Sequence, residues 1–524
     1  MKWWQRAVIY EIAAISFQDS NGDGKGDLRG LIGRVGYLEW LGVDAVWLTP
    51  VYRSPMLDFG YDIEDFLSID PLFGTMEDFE TLLRELHRRD IALILDFVPN
   101  HTSDRHAWFE ESRSSRGNPK SDWYIWADPA PNGGPPNNWL SRFGGSAWEW
   151  DARREQYYYH SFLVEQPDLN WRSDEVRAAL FDVMRFWLEK GVDGFRVDAS
   201  AVLIKDALLR DNPKNPEATA KTPPPQRFKP VFTDDRPEAM ECLECIRAVV
   251  DEFDDRVLAG EVQGSIARIG HFYSNDKPRF HLPLNYALHD SEWDAASLQA
   301  TIDAYLNAVP ERGWPDWVIG GHDKKRIVSR IGRNQARILA MLLMTLRGTP
   351  FLFAGDEIGM EQVKIPRDRM QDPFERLVPG HGLDRDAERS PMRWDGTPFG
   401  GFSSTEPWLP MGNPAERNVE KQKADERSLL WLYRRLIALR REVPVLAEGD
   451  YEPLPSRDDV LAFRRTRNGE AVMILLNVAH EPRRWAWQGK GTLLLSTHLD
   501  RTRQPVDGPT LLRADEGVII LLED

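Results

Sequence analysis

The chain has 524 residues, of which 42% are hydrophobic, enough for a large domain with appended parts or for two to three domains. Its 66 Lys and Arg residues against 83 Asp and Glu give a formal net charge of −17 at pH 7, which disfavours nucleic acid and anionic membranes as partners and favours a neutral ligand. The first residues show no signal-peptide pattern and no run of 18 apolar residues follows, so we expect a cytoplasmic protein.

The first hundred residues alternate between short apolar runs and amphipathic helical patterns. The runs at 8–17, 43–49 and 91–98 are typical of strands, and the patterns at 28–41 and 76–89 are typical of helices. Such alternation predicts parallel strands joined by right-handed crossovers.

The same alternation returns after residue 171. Five more strands are predicted at 192–197, 257–262, 281–285, 317–320 and 349–354, with helices such as 176–190, 238–253 and 334–346 between them. Three strands and five strands make eight, the number in a (β/α)8 TIM barrel, where catalytic residues lie at the carboxyl ends of the strands.

Two stretches interrupt the barrel pattern. Residues 102–171 are rich in Gly, Pro, Asn and Trp and are too long for an ordinary βα loop, which predicts a subdomain inserted after the third strand. A second loop-rich insertion spans about 359–418. The barrel then comprises residues 1–101 and 172–447.

The last part of the chain changes character. After a helical pattern at 426–442, short strands with turn residues between them predict a C-terminal antiparallel β-sandwich at 448–524. The predicted strands are 460–466, 471–478, 492–495 and 517–522.

Ionisable residues end four of the predicted barrel strands. They are Asp96 and His101 at the end of the third strand, Arg196 and Asp198 at the fourth, Glu261 at the fifth, and His322 and Asp323 after the seventh. Because the carboxyl ends of barrel strands meet at one mouth, we expect these side chains to share a cleft. Carboxylates that converge in this way usually divide catalytic labour.

The pattern suits a retaining glycosidase, which needs an ionised nucleophile and a protonated acid about 5–5.5 Å apart. Arg196 and Asp198 share one face of a strand, so the guanidinium is expected to keep Asp198 ionised as the nucleophile. An isolated Arg-x-Asp pair is more often only a structural salt bridge. Glu261 follows an apolar run, and desolvation would raise its pKa as a general acid requires.

These blocks resemble the α-amylase superfamily of retaining glycoside hydrolases, and within it the α-glucosidase and oligo-1,6-glucosidase branch. The resemblance rests on Asp96-Phe97-Val98-Pro99-Asn100-His101, Gly194-Phe195-Arg196-Val197-Asp198, Glu261 and His322-Asp323, in the order and spacing of that family. Gln166-Pro167-Asp168-Leu169-Asn170 is similar to a fifth block in its oligo-1,6-glucosidase form.

The resemblance implies a role for each residue of the site. Asp198 would be the nucleophile, Glu261 the acid/base and Asp323 the transition-state stabiliser. The glucose subsite would be formed by Tyr61, His101, Phe162, Arg196 and His322. One departure stands out: Gly321 precedes His322 where the family usually has Asn, so a side-chain hydrogen bond near Asp323 is expected to be missing.

The same resemblance implies the type of substrate. Asp58 and Arg389 would hold the 4-hydroxyl of the terminal glucose and close the pocket, as in an exo-acting enzyme on short oligosaccharides. Ala199 follows the nucleophile; in the family, Ala or Thr here accompanies α-1,4 preference and Val accompanies α-1,6 activity. The fifth block points to α-1,6 bonds, but Ala199 is nearer the scissile bond, so we expect maltose over isomaltose.

A candidate metal site follows the first predicted strand, in Asp19-Ser20-Asn21-Gly22-Asp23-Gly24-Lys25-Gly26-Asp27. Oxygens at alternate positions and a glycine at the sharp turn are typical of calcium loops. Position 12 is Gly30, which excludes a full EF-hand, and a metal-free Asx turn remains the alternative. The resemblance implies a structural Ca²⁺, or Mg²⁺, with Asp19, Asn21, Asp23, Lys25 and Asp27 as ligands.

Other functions remain open. The same fold supports transglucosylases and trehalose synthase-like isomerases, and, more distantly, non-enzymatic carbohydrate-binding relatives. The expected partners are small oligosaccharides, namely maltose, short malto-oligosaccharides and aryl α-glucosides. Cys242 and Cys245 are the only cysteines; they are too few for a zinc site and are expected to be half-buried thiols on a helix.

Overall fold

The computed structural model describes residues 1–262, 264–273 and 276–523. Eight strands form one parallel sheet: β1 Ile9–Ile12, β2 Ala45–Leu48, β3 Ala92–Phe97, β4 Gly194–Val197, β5 Val257–Glu261, β6 Leu282–Leu284, β7 Asp316–Val318 and β8 Thr349–Phe353. Their order is β6-β5-β4-β3-β2-β1-β8-β7. Because β6 and β7 also lie side by side, the sheet closes, and the predicted (β/α)8 barrel is confirmed.

A helix follows each barrel strand. These helices are α1 Leu28–Leu41, α2 Met76–His87, α3 Asp174–Glu189, α4 Pro237–Val250, α5 Ile266–Tyr273, α6 Ala295–Ala308, α7 Gln335–Thr345 and α8 Leu429–Glu442. The predicted bounds of α1 are confirmed. The predicted start of α8 at residue 426 is wrong, because the Ser428 side chain accepts the Trp431 N–H and caps the helix there.

Shorter helices lie at the ends of the barrel and in its insertions. They are Trp3–Arg6, Ala107–Ser114, Ala287–Asp290, Val328–Ile331, Pro373–Leu377, Val419–Ala424 and Pro444–Glu448. On α4, Cys242 is buried and Cys245 is exposed, so the expectation of two half-buried thiols was wrong. Nowhere in the part of the chain described is a helix both long and apolar enough to cross a membrane.

The two appended regions are antiparallel. Between residues 102 and 171, Trp126–Ala127, Gln156–Tyr159 and Trp148–Asp151 form a three-stranded sheet. The C-terminal strands are Asp450–Arg457, Val460–Arg467, Glu470–Asn477, Arg483–Trp485, Lys490–Ser496, Gln504–Asp507, Thr510–Leu512 and Gly517–Leu522. Six of these strands form one sheet. The other two, Arg483–Trp485 and Thr510–Leu512, pair with each other and pack over that sheet, so this region has two layers, as predicted.

Three features differ from the sequence expectations. The first strand ends at Ile12 and not at Phe17, because a 3-10 turn, Ala14–Ser16, redirects the chain and the Ile15 carbonyl accepts the Gly26 N–H. A third long insertion, 203–236, follows β4 and was missed. Four C-terminal strands were also missed; Asp450–Arg457 is a largely exposed edge strand with two prolines, which weaken the strand pattern.

Side chains alternate in direction along the barrel strands, and this alternation places charged residues at the functional site. Ile9, Ile94 and Ala259 lie in the apolar cluster inside the barrel. Side chains two positions apart on a strand share a face, so Glu11, Asp96 and Glu261 also face the interior, nearer the carboxyl ends. The barrel interior therefore changes from apolar to charged toward its catalytic mouth.

Candidate active site

Arg196 on β4 joins three carboxylates from three strands. Its Nη1 donates to Asp96 Oδ1 at 2.9 Å and to Asp198 Oδ1 at 2.6 Å, and its Nη2 donates to Glu261 Oε2 at 2.9 Å. The strand register brings these groups together, because Arg196 is aligned with Asp96 on β3 and with Ala259 on β5. A single buried cation thus holds Asp198 and Glu261 side by side.

The charge on this cluster depends on more than Arg196. Burial raises the pKa of Asp198 to about 7; Arg196 opposes the shift, and the carboxylates of Glu261 and Asp96 add to it. Because the guanidinium bonds both Asp198 and Glu261, it does not by itself select the ionised member, and the ionised Asp198 stays a prediction. Two interacting carboxylates titrate as a pair, and a retaining glycosidase needs one of the two ionised and the other protonated.

Asp323 is held ionised by cations. Its Oδ1 accepts from Arg389 Nη2 and, at 3.1 Å, from Arg385 Nη1. Desolvation alone would raise the pKa of Asp323, but His322, Arg385 and Arg389 outweigh it and hold that pKa well below its usual range. Asp323 is therefore a carboxylate at neutral pH.

A cavity of about 240 Å³ opens above these acids. It is smaller than the roughly 300–1,000 Å³ typical of sites for drug-sized ligands, so it suits a single sugar unit. Eight predicted site residues line it: Asp58, Tyr61, His101, Phe162, Asp198, Ala199, Glu261 and Asp323. The other three, Arg196, His322 and Arg389, are buried behind the lining and bond its acids.

The closed end of the cavity is built around Asp58. Its Oδ1 accepts from Arg385 Nη2 at 3.1 Å and its Oδ2 from Gln166 Nε2 at 3.1 Å. Arg389 does not bond Asp58: it contacts Asp323 and stacks over Phe59, 4.1 Å from the ring centroid, so its role at the 4-hydroxyl of the sugar stays a prediction. Arg385 was not predicted, since nothing in their shared loop distinguishes the two arginines.

Aromatic rings form the walls. The Phe162 ring lies 5.1 Å from the His101 ring, and the Phe143 and Phe374 rings lie 4.2 Å apart. Apolar ring faces suit the C–H faces of a sugar. Phe143 and Phe374 were missed, because each stands in a loop-rich insertion without periodicity.

A buried network supports His101 from behind. Asn100 Nδ2 donates to Asp168 Oδ2 at 2.9 Å, and the Lys205 ammonium donates to the same carboxylate and to Asn100 Oδ1. Gln166 Nε2 lies 3.2 Å from His101 Nε2. The block 166–170 therefore braces the third barrel strand; Lys205, in the insertion after β4, was missed.

The candidate calcium loop lies apart from this cavity. Asp19 Oδ1 accepts from the Asn21 N–H at 2.9 Å, Asn21 Oδ1 from the Asp23 N–H at 2.9 Å, and Asp23 Oδ1 from the Lys25 N–H at 2.8 Å. Asp27 Oδ1 accepts from Gly30 N and caps α1. Among the residues described, no three His, Cys, Asp or Glu side chains are gathered around a metal position, so the metal stays a prediction.

Comparison with known proteins agrees with this geometry. A family description, "Alpha amylase, catalytic domain", matches residues 11–449. The chain is 43% identical over 497 residues to a probable alpha-glucosidase of Rhizobium meliloti, covering 91% of this chain and 90% of that protein. It is 38% identical over 515 residues to an oligo-1,6-glucosidase of Halalkalibacterium halodurans, covering 91% and 90%.

A solved structure extends the likeness to the whole chain. The crystal structure of an alpha-glucosyl transfer enzyme, XgtA, superimposes with a TM-score of 0.93 at 39% identity and covers 100% of both chains. Both hydrolytic and glucosyl-transferring proteins are therefore among those that this chain resembles.

Proposed function

The chain belongs to the α-amylase family and is a glycoside hydrolase, and from this premise we propose that it is a retaining, exo-acting α-glucosidase. It would release glucose from the non-reducing end of short α-glucosides. The observation that carries the proposal is the Asp198–Glu261 pair, held by Arg196 beneath a cavity of about 240 Å³.

In the first half of the reaction, an Asp198 oxygen attacks C1 of the bound glucose while Glu261 gives its proton to the departing glycosidic oxygen. The C1–oxygen bond to the leaving sugar breaks, and a covalent glucosyl ester forms on Asp198. These roles require that Asp198 is ionised and Glu261 protonated when the substrate binds. Arg196 faces both carboxylates, so it balances the charge as the proton leaves.

In the second half, Glu261 accepts a proton from a water molecule whose oxygen attacks C1. The ester bond between C1 and Asp198 breaks, and glucose leaves with its α configuration retained. Asp323 stays ionised because of His322, Arg385 and Arg389. It is therefore suited to accept hydrogen bonds from sugar hydroxyls that strengthen as the ring becomes oxocarbenium-like.

The closed end supports exo action. Arg385 and Gln166 both bond Asp58 at that end, which gathers polar groups there for the hydroxyls of a terminal sugar. We propose short α-1,4-linked substrates such as maltose, because Ala199 borders the position of the leaving sugar and adds little bulk there.

Glucosyl transfer is the second candidate, and the likeness to an alpha-glucosyl transfer enzyme favours it. The two activities share the glucosyl ester and differ in whether water or a sugar hydroxyl receives the glucose. Incubation with maltose followed by product analysis separates them. Glucose alone supports hydrolysis, trehalose or trisaccharides support transfer, and no reaction, with Asp198→Asn as the inactive control, contradicts both.

We further propose that the loop 19–27 binds Ca²⁺ through Asp19, Asn21, Asp23, Asp27 and the Lys25 carbonyl. Supporting this, three successive turns fix side-chain oxygens at alternate positions, as in calcium loops. Bound calcium would hold the loop in its position next to the first turn of α1. We expect a lower melting temperature with chelator than with excess calcium, and a smaller difference in Asp23→Asn; equal melting temperatures for the wild type would contradict the site.

A further inference from the structure

Glu11 is a buried carboxylate that the proposed reaction does not use. It lies on β1, and its side chain is only 2% exposed. Its Oε1 accepts from the backbone N–H of His322 at 3.1 Å and lies 2.5 Å from His322 Nδ1. Because Oε1 already accepts the backbone N–H of His322, we assign it as the acceptor for Nδ1 as well, which places a hydrogen on Nδ1.

The other ring nitrogen of His322 is determined by Tyr61. The Tyr61 hydroxyl lies 2.8 Å from His322 Nε2 and donates to Asp96 Oδ2 at 3.1 Å. A tyrosine hydroxyl has one hydrogen. Asp96 also accepts from Arg196 at 2.9 Å and from Trp47 Nε1 at 3.1 Å, which makes it the acceptor for Tyr61. With the Tyr61 hydrogen assigned to Asp96, Nε2 is the donor to the Tyr61 oxygen, and this assignment gives the ring both hydrogens.

The charges around the ring agree with an imidazolium. Burial lowers the pKa of His322, but Asp323 and Glu11 outweigh burial and raise that pKa, while Arg389 opposes them. Asp323 Oδ2 lies 3.5 Å from His322 Nε2. The cation therefore lies between the buried Glu11 and the catalytic Asp323.

Gly321 explains how Glu11 reaches this position. A Cβ at residue 321 would lie 3.2 Å from Glu11 Oε2 and 3.7 Å from the Tyr286 hydroxyl. A side chain at residue 321 would therefore press on the Glu11 carboxylate. A missing hydrogen bond was expected here, because Gly stands where the family usually has Asn. In the structure the Glu11 carboxylate occupies that space and accepts from the backbone N–H of the next residue, His322.

We propose that Glu11, in the space left by Gly321, is a positioning residue that holds His322 as an imidazolium directed at Tyr61 and Asp323. Through His322 it keeps Asp323 ionised and oriented at the cavity. The role in catalysis rests on the proposed glucosidase function, whereas the charge state of His322 does not.

The first test is nitrogen NMR of the histidine rings in the full-length protein. With ¹⁵N-histidine labelling, the His322 signals are assigned by their loss in His322→Asn. We expect imidazolium signals for wild-type His322 from pH 6 to 8, and neutral signals appearing within this range in Glu11→Gln. Neutral His322 in the wild type at pH 7, or unchanged signals in Glu11→Gln, would overturn the proposal whether or not the protein hydrolyses maltose.

Kinetics then separates positioning from general stability. In Glu11→Gln the alkaline limb of the pH profile of kcat/KM on an aryl α-glucoside should move to lower pH. A change of one unit in the pKa of His322 would lower kcat/KM at pH 8 by about tenfold. Glu357→Gln is the matched control, because Glu357 is also fully buried but bonds the Tyr10 and Tyr37 hydroxyls. The control should leave the shape of the pH profile unchanged; an equal shift in both variants would contradict a specific role.

A double-mutant cycle tests the link to Gly321. Gly321→Ala should displace Glu11 by a few tenths of an ångström and move the His322 signals in the same direction as Glu11→Gln. In a Glu11→Ala background the same substitution has no carboxylate to displace, so it should have no further effect. Equal effects in the two backgrounds would refute the coupling.

Discussion

Ala199 is the residue at which linkage preference can be tested most sharply. It follows Asp198 directly, lines the cavity, and has φ 49° and ψ 34°, which is a left-handed backbone. Ala199→Val adds two methyl groups beside the position of the leaving sugar. Discrimination by pocket volume of this size is worth roughly 1–3 kcal/mol, or about a 5- to 150-fold change in the ratio of two rate constants.

The left-handed backbone adds a second effect that must be separated from the first. A β-branched side chain is strained in this conformation, by about 1–2 kcal/mol. Strain in the free enzyme lowers stability and affects both substrates alike, so it cancels when kcat/KM for maltose is divided by kcat/KM for isomaltose. Ala199→Gly is the matched control, because it removes the side chain and relieves the strain.

The assay is therefore this ratio in the wild type, Ala199→Val and Ala199→Gly. We expect a ratio above one in the wild type, a fall of at least about fivefold in the valine variant, and no fall in the glycine variant. A wild-type ratio of one or below, or an unchanged ratio in Ala199→Val, would refute the reasoning.

Three further substitutions test other parts of the account. Asp58→Ala removes charge-assisted hydrogen bonds at the closed end, so kcat/KM for p-nitrophenyl α-glucoside should fall by about 100-fold; full activity would exclude the exo pocket. Glu261→Gln removes a carboxylate that raises the pKa of Asp198. With an aryl glucoside whose leaving group needs no protonation, the acidic limb of the pH profile of kcat/KM should therefore move to lower pH; an unmoved limb would contradict the coupling. Burial raises the pKa of Glu516, but Arg513 and other donors outweigh it and lower that pKa from 4.5 to about 2. This carboxylate therefore stabilises the fold above pH 4.5, and the stability is lost as the pH falls toward 2. The melting temperature of Glu516→Gln should be below that of the wild type at pH 7, with the difference shrinking in acid; a constant difference would contradict this ion pair.

Local periodicity explains what the sequence predicted well. The alternation of apolar runs and amphipathic patterns located all eight barrel strands, because these strands are buried on both faces and form continuous apolar runs, whereas each helix buries one face. The ends of β3, β4 and β5 then located Asp96, Arg196 and Glu261, since parallel strands bring their carboxyl ends to one mouth.

Contacts between distant loops explain what it did not predict. Asp58 meets Arg385 and not Arg389, and the choice depends on the path of an irregular insertion. Likewise, Glu11 and Gly321 are separated by most of the barrel, and only its closure brings them together. Local spacing also does not reveal that Arg196 bonds Glu261 as well as Asp198.

The central claim is a covalent glucosyl ester on Asp198. Incubation with 5-fluoro-α-glucosyl fluoride, which slows the second half of the reaction, followed by mass spectrometry of proteolytic fragments, tests it directly. The account predicts one fluoroglucosyl group per chain, located on Asp198 and absent from Asp198→Asn. A label on Glu261 or Asp96, or turnover that releases glucose in the β configuration, would contradict it.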